Sequence, residues 1–382
     1  MKKRRSLLSL ILTISLVFTG CGGKQTTSHP SSTANNSPKN QPTSVPEDKS
    51  PIPGPELPLA NAISLGNNII ELESDLFAVR YNGNYGFDNF LAQGGATSDR
   101  EVVQYLTENL IGNLGLDFLG NFFGCSTITA DGPYGGILFG RNFDWNTCEA
   151  MIVEAHPENG YASLSTVNMD FITIGTGGMM GTALKLDQVR TLAALYAPLD
   201  GMNEKGLAVS VNMIQDNATI SQSTGKPGIT TTTAVRLLLD KAATVEEALE
   251  LLCQYDLHAS MGLMVHFALA DSTGHSVVVE YIENEIHVVG TLVVTNFYLT
   301  PGEKYGVGTS QSHARYEILT NLLAESPTLT QEGVRDALSS VSKGNFGEFE
   351  STEWSIVFDL TAKTALYYRR ENYNDSWLFA LR

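Results

Sequence analysis

Apolar positions along the chain fall into three regimes. Leu7 to Phe18 is a nearly unbroken apolar run of 12 residues behind the basic start Met1-Lys2-Lys3-Arg4-Arg5. It is short for a bilayer span and has the length of the apolar core of an export signal. From residue 22 to about 60 large apolar side chains give way to Ser, Thr, Pro, Asn, Gln and Gly. Such a stretch buries too little surface to offset its ordering entropy and reads as a disordered tether. Periodicity begins beyond it. Leu76 to Tyr81 alternates weakly, as a strand does, and residues 97–116 carry Val102, Val103, Leu106, Leu110 and Ile111 at helical spacing. Asp99 is the expected cap of that helix, and Gly112, Gly115 and Gly120 break the pattern.

From Gly124 onward short extended runs alternate with helical blocks. Ser126–Ala130, Gly136–Asn142, Ala150–Glu154, Leu207–Met213, Val265–Ala270, Ser276–Ile282, Glu285–Val289, Leu292–Asn296, Ser355–Leu360, Ala365–Arg369 and Trp377–Leu381 have strand character. Helices are expected at Thr231–Asp240, Val245–Gln254, His313–Glu325 and Thr330–Val341, the second with Thr244 and Glu247 as a capping box. Paired helices between blocks of antiparallel-looking strands predict an α+β domain with helical layers around two packed sheets. The expected organisation is a signal at 1–20, a tether at 21–60, an amino-terminal segment at 61–124 and a main domain at 125–382.

Charge narrows the partners. The chain has a formal net charge of −17; without the four basic residues of the signal, 20 Lys and Arg face 41 Asp and Glu. That balance argues against nucleic acid and against close docking on an anionic membrane. Thr19-Gly20-Cys21 closes the apolar run and resembles the lipobox of bacterial lipoproteins, with Phe18 where that pattern usually has Leu. The resemblance implies lipidation of Cys21 and an extracytoplasmic domain held to the cell membrane by its lipid. Cys125, Cys148 and Cys253 then remain, an odd number, so one is expected to be a free thiol, and a free thiol in an exported protein invites a reactive role. Cys148 and Cys253 read as buried or paired with each other.

The chemistry centres on Gly124-Cys125-Ser126-Thr127-Ile128 and Gly140-Arg141-Asn142-Phe143-Asp144-Trp145. A turn between these two strands returns Arg141 and Asp144 to the side of Cys125, giving a thiol, a cation that favours thiolate and a carboxylate able to hold an amine. Here the sequence resembles the linear-amide hydrolases of the choloylglycine hydrolase family, which includes bile salt hydrolases and penicillin V acylases, and the related acid ceramidase and acyltransferase groups. The Asn203-Glu204-Lys205-Gly206-Leu207 segment, the following strand with Asn212, the Thr295-Asn296 pair and Ser312-His313-Ala314-Arg315-Tyr316 match the family's later motifs in order.

The resemblance implies the four-layer αββα sandwich of the N-terminal-nucleophile hydrolases. It implies chain cleavage between Gly124 and Cys125, with Cys125 as nucleophile and its freed amine as base. Arg141 would lower the thiol pKa, Asp144 would support the amine, Asn212 and Asn296 would stabilise the oxyanion, and Arg315 would steady the charges. It implies no metal or organic cofactor and a small-molecule amide as substrate. Two features depart from the bile-salt and penicillin enzymes: the long piece before Cys125, similar instead to the acid-ceramidase branch, and Phe297-Tyr298-Leu299 after the Thr-Asn pair. Acyl transfer in place of hydrolysis, a Cys–His protease using one of the seven histidines, and a solute-binding lipoprotein without catalysis are the rival readings. Structural readings also exist: an Arg141–Asp144 salt bridge, and Asn203 and Gly206 as turn formers.

Overall fold

The computed structural model describes residues 59–111, 116–118, 124–174, 187–344 and 350–381. The signal, Cys21, all but the last residues of the tether, and the glycines at 112, 115 and 120 lie outside the described residues.

Two sheets form the centre. The larger has nine strands in the order Ile70–Glu73, Leu76–Asn82, Ala150–His156, Ser163–Asn168, Asp200–Asn203, Ala208–Met213, Val265–Ala270, Ser276–Ile282 and Glu285–Gly290. All its ladders are antiparallel except that of Leu76–Asn82 with Ala150–His156. The smaller has six, in the order Val293–Val294, Gly124–Asp131, Ile137–Trp145, Ser351–Asp359, Thr364–Arg369 and Trp377–Ala380. The faces of the two sheets meet where Ala208–Met213 packs on Gly124–Asp131. Helices Asp187–Leu195, Thr231–Lys241 and Val245–Leu252 belong to the larger sheet's outer side, and Ser310–Glu325 and Gln331–Ser340 cover the smaller sheet. The result is the αββα four-layer sandwich of the N-terminal-nucleophile hydrolases.

Alternation along single strands explains the layering. On Ile137–Trp145, Phe139 and Phe143 join the large core between the sheets, whereas Leu138 joins a second core with Val334 and Leu338 of the covering helix. Gly140 is on that second face, and a Cβ there would come within 2.6 Å of Val334 and 2.8 Å of Ile128. Only glycine lets the helix approach so closely. Both faces of this strand are buried, which is the pattern of a strand inside a sandwich rather than on its surface.

The amino-terminal segment is part of the same body. Leu76–Asn82 pairs residue for residue with Ala150–His156. Phe87, Phe90 and Tyr105 pack with Tyr196 of the main domain, their ring centroids 5.6–6.2 Å from its ring. Backbone bonds tie Ala96 and Gly94 to Gly228, and Ile63 to Leu378. The expected 97–116 helix is shorter: it runs Asp99–Leu106 and widens into a π turn at Thr107–Ile111. Its cap is Ser98, whose hydroxyl accepts from Glu101 N, not Asp99, whose carboxylate accepts instead from Met261 N at 2.7 Å. A long-range partner has claimed the expected capping group.

Other boundaries moved for comparable reasons. Thr244 accepts from Glu247 N, but Glu247 reaches back to Ala243 N rather than to Thr244 N. Leu292–Asn296 keeps ladder pairing only at Val293–Val294, because Thr295 and Asn296 turn their hydrogen bonds to side chains. No disulfide joins Cys148 to Cys253. Among the described residues no helix is long and apolar enough to cross a membrane.

Candidate active site

Cys125 and the five residues singled out with it come from three strands, a loop and one helix, and the fold gathers them. In the antiparallel pair of Gly124–Asp131 and Ile137–Trp145, Gly124 faces Asp144, Cys125 faces Phe143 and Thr127 faces Arg141. The short turn between those strands therefore brings Arg141 and Asp144, 16 and 19 residues after Cys125, back beside it.

Cys125 is wholly buried. Its backbone N–H donates to Asn296 Oδ1 at 2.8 Å, and its Sγ lies 3.5 Å from Val211 O. Its carbonyl oxygen accepts from Arg315 Nη1 at 2.6 Å, and Arg315 Nη2 donates to Asn296 Oδ1 at 2.7 Å. One guanidinium thus fixes the nucleophile's own peptide and the side chain that holds its nitrogen, using the planar fork that suits arginine to such a place.

Arg141 also points into the cluster. It donates from Nη1 to Asn212 Oδ1 at 3.0 Å, from Nη2 to Val211 O at 2.8 Å, and from Nε to Asp200 Oδ2 at 3.3 Å. Its ion pair is with Asp200, not with Asp144, so the structural Arg141–Asp144 bridge is absent among the described residues. Asp200 is further held by Trp354 Nε1 at 2.9 Å.

Asp144 has its own set of partners. Thr352 Oγ1 donates to Oδ1 at 2.7 Å, while Arg315 and Lys343 lie 3.4 and 3.8 Å from Oδ2. Gly124 sits against this charge: a Cβ there would lie 3.1 Å from Asp144 Oδ2 and 2.8 Å from Lys343 Nζ. Gly124, the residue before Cys125 and the ladder partner of Asp144, thus has no room for a side chain beside that carboxylate.

Burial pushes the Cys125 thiol up, and Asp144 adds to that; Arg141 and Arg315 pull in the lowering direction but do not overcome burial. Arg141 thus acts on the thiol in the expected direction, and burial is the larger influence. Burial and Glu353 push the Cys148 thiol up as well.

Asn212 and Asn296 are both within the cluster. Asn212 Nδ2 donates to Thr127 Oγ1 at 3.2 Å and Asn296 Nδ2 to Met213 O at 2.6 Å. Each amide nitrogen carries a second hydrogen, so one donor per side chain remains for another acceptor. Asn203 acts on the backbone: its Oδ1 accepts from Lys205 N and Leu207 N, and its Nδ2 donates to Leu239 O and Ala242 O. Gly206 has φ +85°, and a Cβ there would come within 2.2 Å of Leu360 O.

Sequence reasoning gave no role to Asp200, which holds Arg141, or to Thr352, which holds Asp144, nor to His266, which holds Thr295 beside Asn296. Asp200 lies three residues before the Asn203-Glu204-Lys205-Gly206-Leu207 segment, which was the available signal; Thr352 lies 208 residues from Asp144 in a strand with no motif.

Residues 125–298 match the model of the linear amide C–N hydrolases, choloylglycine hydrolase family. Penicillin V acylase from Pectobacterium atrosepticum is 32% identical over 96 residues, 22% of this chain and 26% of that protein. The chain thus matches about a quarter of the length of that curated relative. A mutant of the conjugated bile acid hydrolase from Clostridium perfringens superposes with a TM-score of 0.50 at 18% identity, covering 67% of this chain and 92% of that one. Penicillin V acylase from Agrobacterium tumefaciens gives 0.41 at 17% identity, covering 64% and 83%. The resemblance read from the motifs holds over the matched stretch, and the fold is shared.

Proposed function

We propose that this chain, whose residues 125–298 match the choloylglycine hydrolase family, is a hydrolase of linear carbon–nitrogen amides that uses Cys125 as an N-terminal nucleophile. The observation that carries the reading is the treatment of Cys125: its nitrogen held by Asn296, its carbonyl by Arg315, and Asp144 opposite the residue before it. A thiol needed only for packing requires none of these contacts.

Maturation is an intramolecular acyl shift. The Cys125 thiol adds to the Gly124 carbonyl carbon, the Gly124–Cys125 C–N bond breaks, and Gly124 is left as a thioester on Sγ. Water then releases Gly124 as a carboxylate and frees both thiol and amine. The amine has an ordinary pKa of about 7.7–8.0, suited to general base work near neutral pH, and it is on the nucleophile's own residue. In turnover it takes the thiol proton, Sγ attacks the substrate carbonyl, and the amine returns the proton to the leaving nitrogen. Water completes hydrolysis of the acyl-enzyme. The free N–H groups of Asn212 and Asn296 serve the oxyanion, a contribution of about 2.7–4 kcal/mol for one such donor elsewhere. No step calls for a metal or organic cofactor.

Substrates are small amides: bile-acid conjugates, phenoxyacyl amides, N-acyl amino acids and lipid amides share the bond. Lipidation of Cys21 and the tether would hold the domain outside the cytoplasm at the bacterial cell membrane. The acidic balance of the chain disfavours nucleic acid as a partner.

Kinetics of cysteine variants on a panel varied separately in acyl and amine halves test the reading. Cys125→Ala abolishes turnover, whereas Cys148→Ala and Cys253→Ala retain most of it. Full activity of Cys125→Ala sinks the assignment, and a wild-type chain that binds amides but never cuts them makes the protein a solute-binding lipoprotein. Release of acyl groups onto added amines faster than onto water marks an acyltransferase.

A further inference from the structure

Asn296 lies just past the end of a ladder. Pairing of its strand stops at Val294, and the next helix starts only at Ser310. Something else must hold the Thr295–Thr300 stretch, and two buried side chains do. His266, on Val265–Ala270, faces Asn212 directly in register. Its Nε2 is 2.8 Å from Thr295 O and its Nδ1 is 3.1 Å from Glu280 Oε1. Glu280, on the next strand, accepts from Leu299 N on Oε1 and from Thr300 N on Oε2, both at 2.8 Å. Neither His266 nor Glu280 is exposed at all. One pair therefore grips the stretch at both ends, with Asn296 between.

The hydrogen-bond partners point to a charged pair. Thr295 O is a carbonyl and only accepts. Glu280 already accepts from two backbone N–H groups, as a carboxylate does. Burial raises its carboxyl, but the His266 hydrogen bond and charge, with Thr300 and Leu299, outweigh that and leave it below the ordinary value. With Glu280 ionised, both ring nitrogens of His266 face acceptors, and imidazole then satisfies both only with a proton on each. The other titratable groups beside Glu280 are His287, which faces it across the next ladder, and Tyr298, whose hydroxyl donates to Asp216 at 3.1 Å.

We infer that His266 and Glu280 form a buried imidazolium–carboxylate pair that positions Asn296 on Cys125, making both of them positioning residues of the proposed amidase. The kinetic half of this inference rests on that reading; the charge half does not. Removing one partner strands the other charge in the interior, so the double variant His266→Gln/Glu280→Gln is the safer probe of function, beside Glu280→Gln alone.

The full Cys125→Ala chain, labelled with 15N in its histidine rings, supplies a readout that needs no substrate. The resonances lost in a matching His266→Gln chain belong to His266. They are expected at imidazolium positions for both ring nitrogens near neutral pH; one unprotonated nitrogen overturns the charge assignment. In otherwise native chain, Glu280→Gln and the double variant should lower kcat on the order of a hundredfold, the scale of a misplaced catalytic group, with KM little changed and cutting at Gly124–Cys125 slowed. Native kcat and native cutting in either folded variant overturn the positioning role. A wild-type chain without amidase activity defeats the functional reading instead, and the ring spectrum still decides the pair.

Discussion

The two ends of the 61–124 segment are held in opposite ways. At Leu76–Asn82 the grip is a sheet ladder with apolar burial: seven residues pair with Ala150–His156, and Leu76, Ala78 and Val79 are sealed in the large core. At Gly124 the grip is polar, a carboxylate, a lysine and an arginine around a peptide bond. The first end gains from area removed from water and is indifferent to reaction. The second keeps charges poised around the bond proposed to break. Covalent continuity through Gly124 is therefore not what keeps the segment in place, and cutting there should leave it bound. Retention also keeps the catalytic fragment attached to the lipid proposed on Cys21.

The largest effect is expected from breaking the apolar end. Val79→Asp buries an unpaired carboxylate at a cost of several kcal/mol, so thermal melts and yields should show a loss of folded protein of both fragments together. Independent folding of residues 125–382 in that variant would mean that the segment is an accessory. With the ladder intact, cleaved protein run through size exclusion under native conditions should elute as both fragments in one peak; a separately eluting, active fragment beginning at Cys125 would refute retention.

The polar end should respond in activity more than in stability. Asp144→Asn impairs catalysis with a much smaller change in melting, and Thr352→Val removes a bond to a charged group worth about 1.5–3 kcal/mol. Calorimetry beside kcat separates the two, and a loss explained wholly by unfolding would count against Asp144. The uncut thiol gives a pH signature. Because burial raises it, alkylation of Cys125 in uncleaved Asp144→Asn chain should be slower near neutral pH than for a free thiol of pKa about 8.5. By linkage the uncut fold should lose stability as pH rises from about 8.5 toward the folded value. Prompt alkylation at neutral pH would show the thiol to be accessible and ionised. The smallest effect belongs to Ser98→Ala, about 1 kcal/mol from loss of the cap, with kcat unchanged by steady-state assay.

The same contrast explains what the sequence disclosed. Arg141 and Asp144 were legible because one tight turn fixes their distance from Cys125, and the strand at Leu76 because its apolar alternation is local. Asp200, Thr352 and His266 act across 59, 208 and 29 residues, and no local pattern encodes such pairings. Ser163–Asn168 escaped notice as a strand because it is polar yet buried: Ser163 and Ser165 hydroxyls accept from Arg236 at 3.1 Å, which satisfies them inside the sandwich. Asp99 misled because a group suited to capping its own helix is engaged by Met261 instead.

Intact-mass analysis with amino-terminal sequencing of purified, active protein tests the central claim most directly. A fragment beginning at Cys125, appearing in step with activity and absent from Cys125→Ala, is the expected result. Full activity in a single uncut chain would contradict the account, because Cys125 would then have no free amine with which to work.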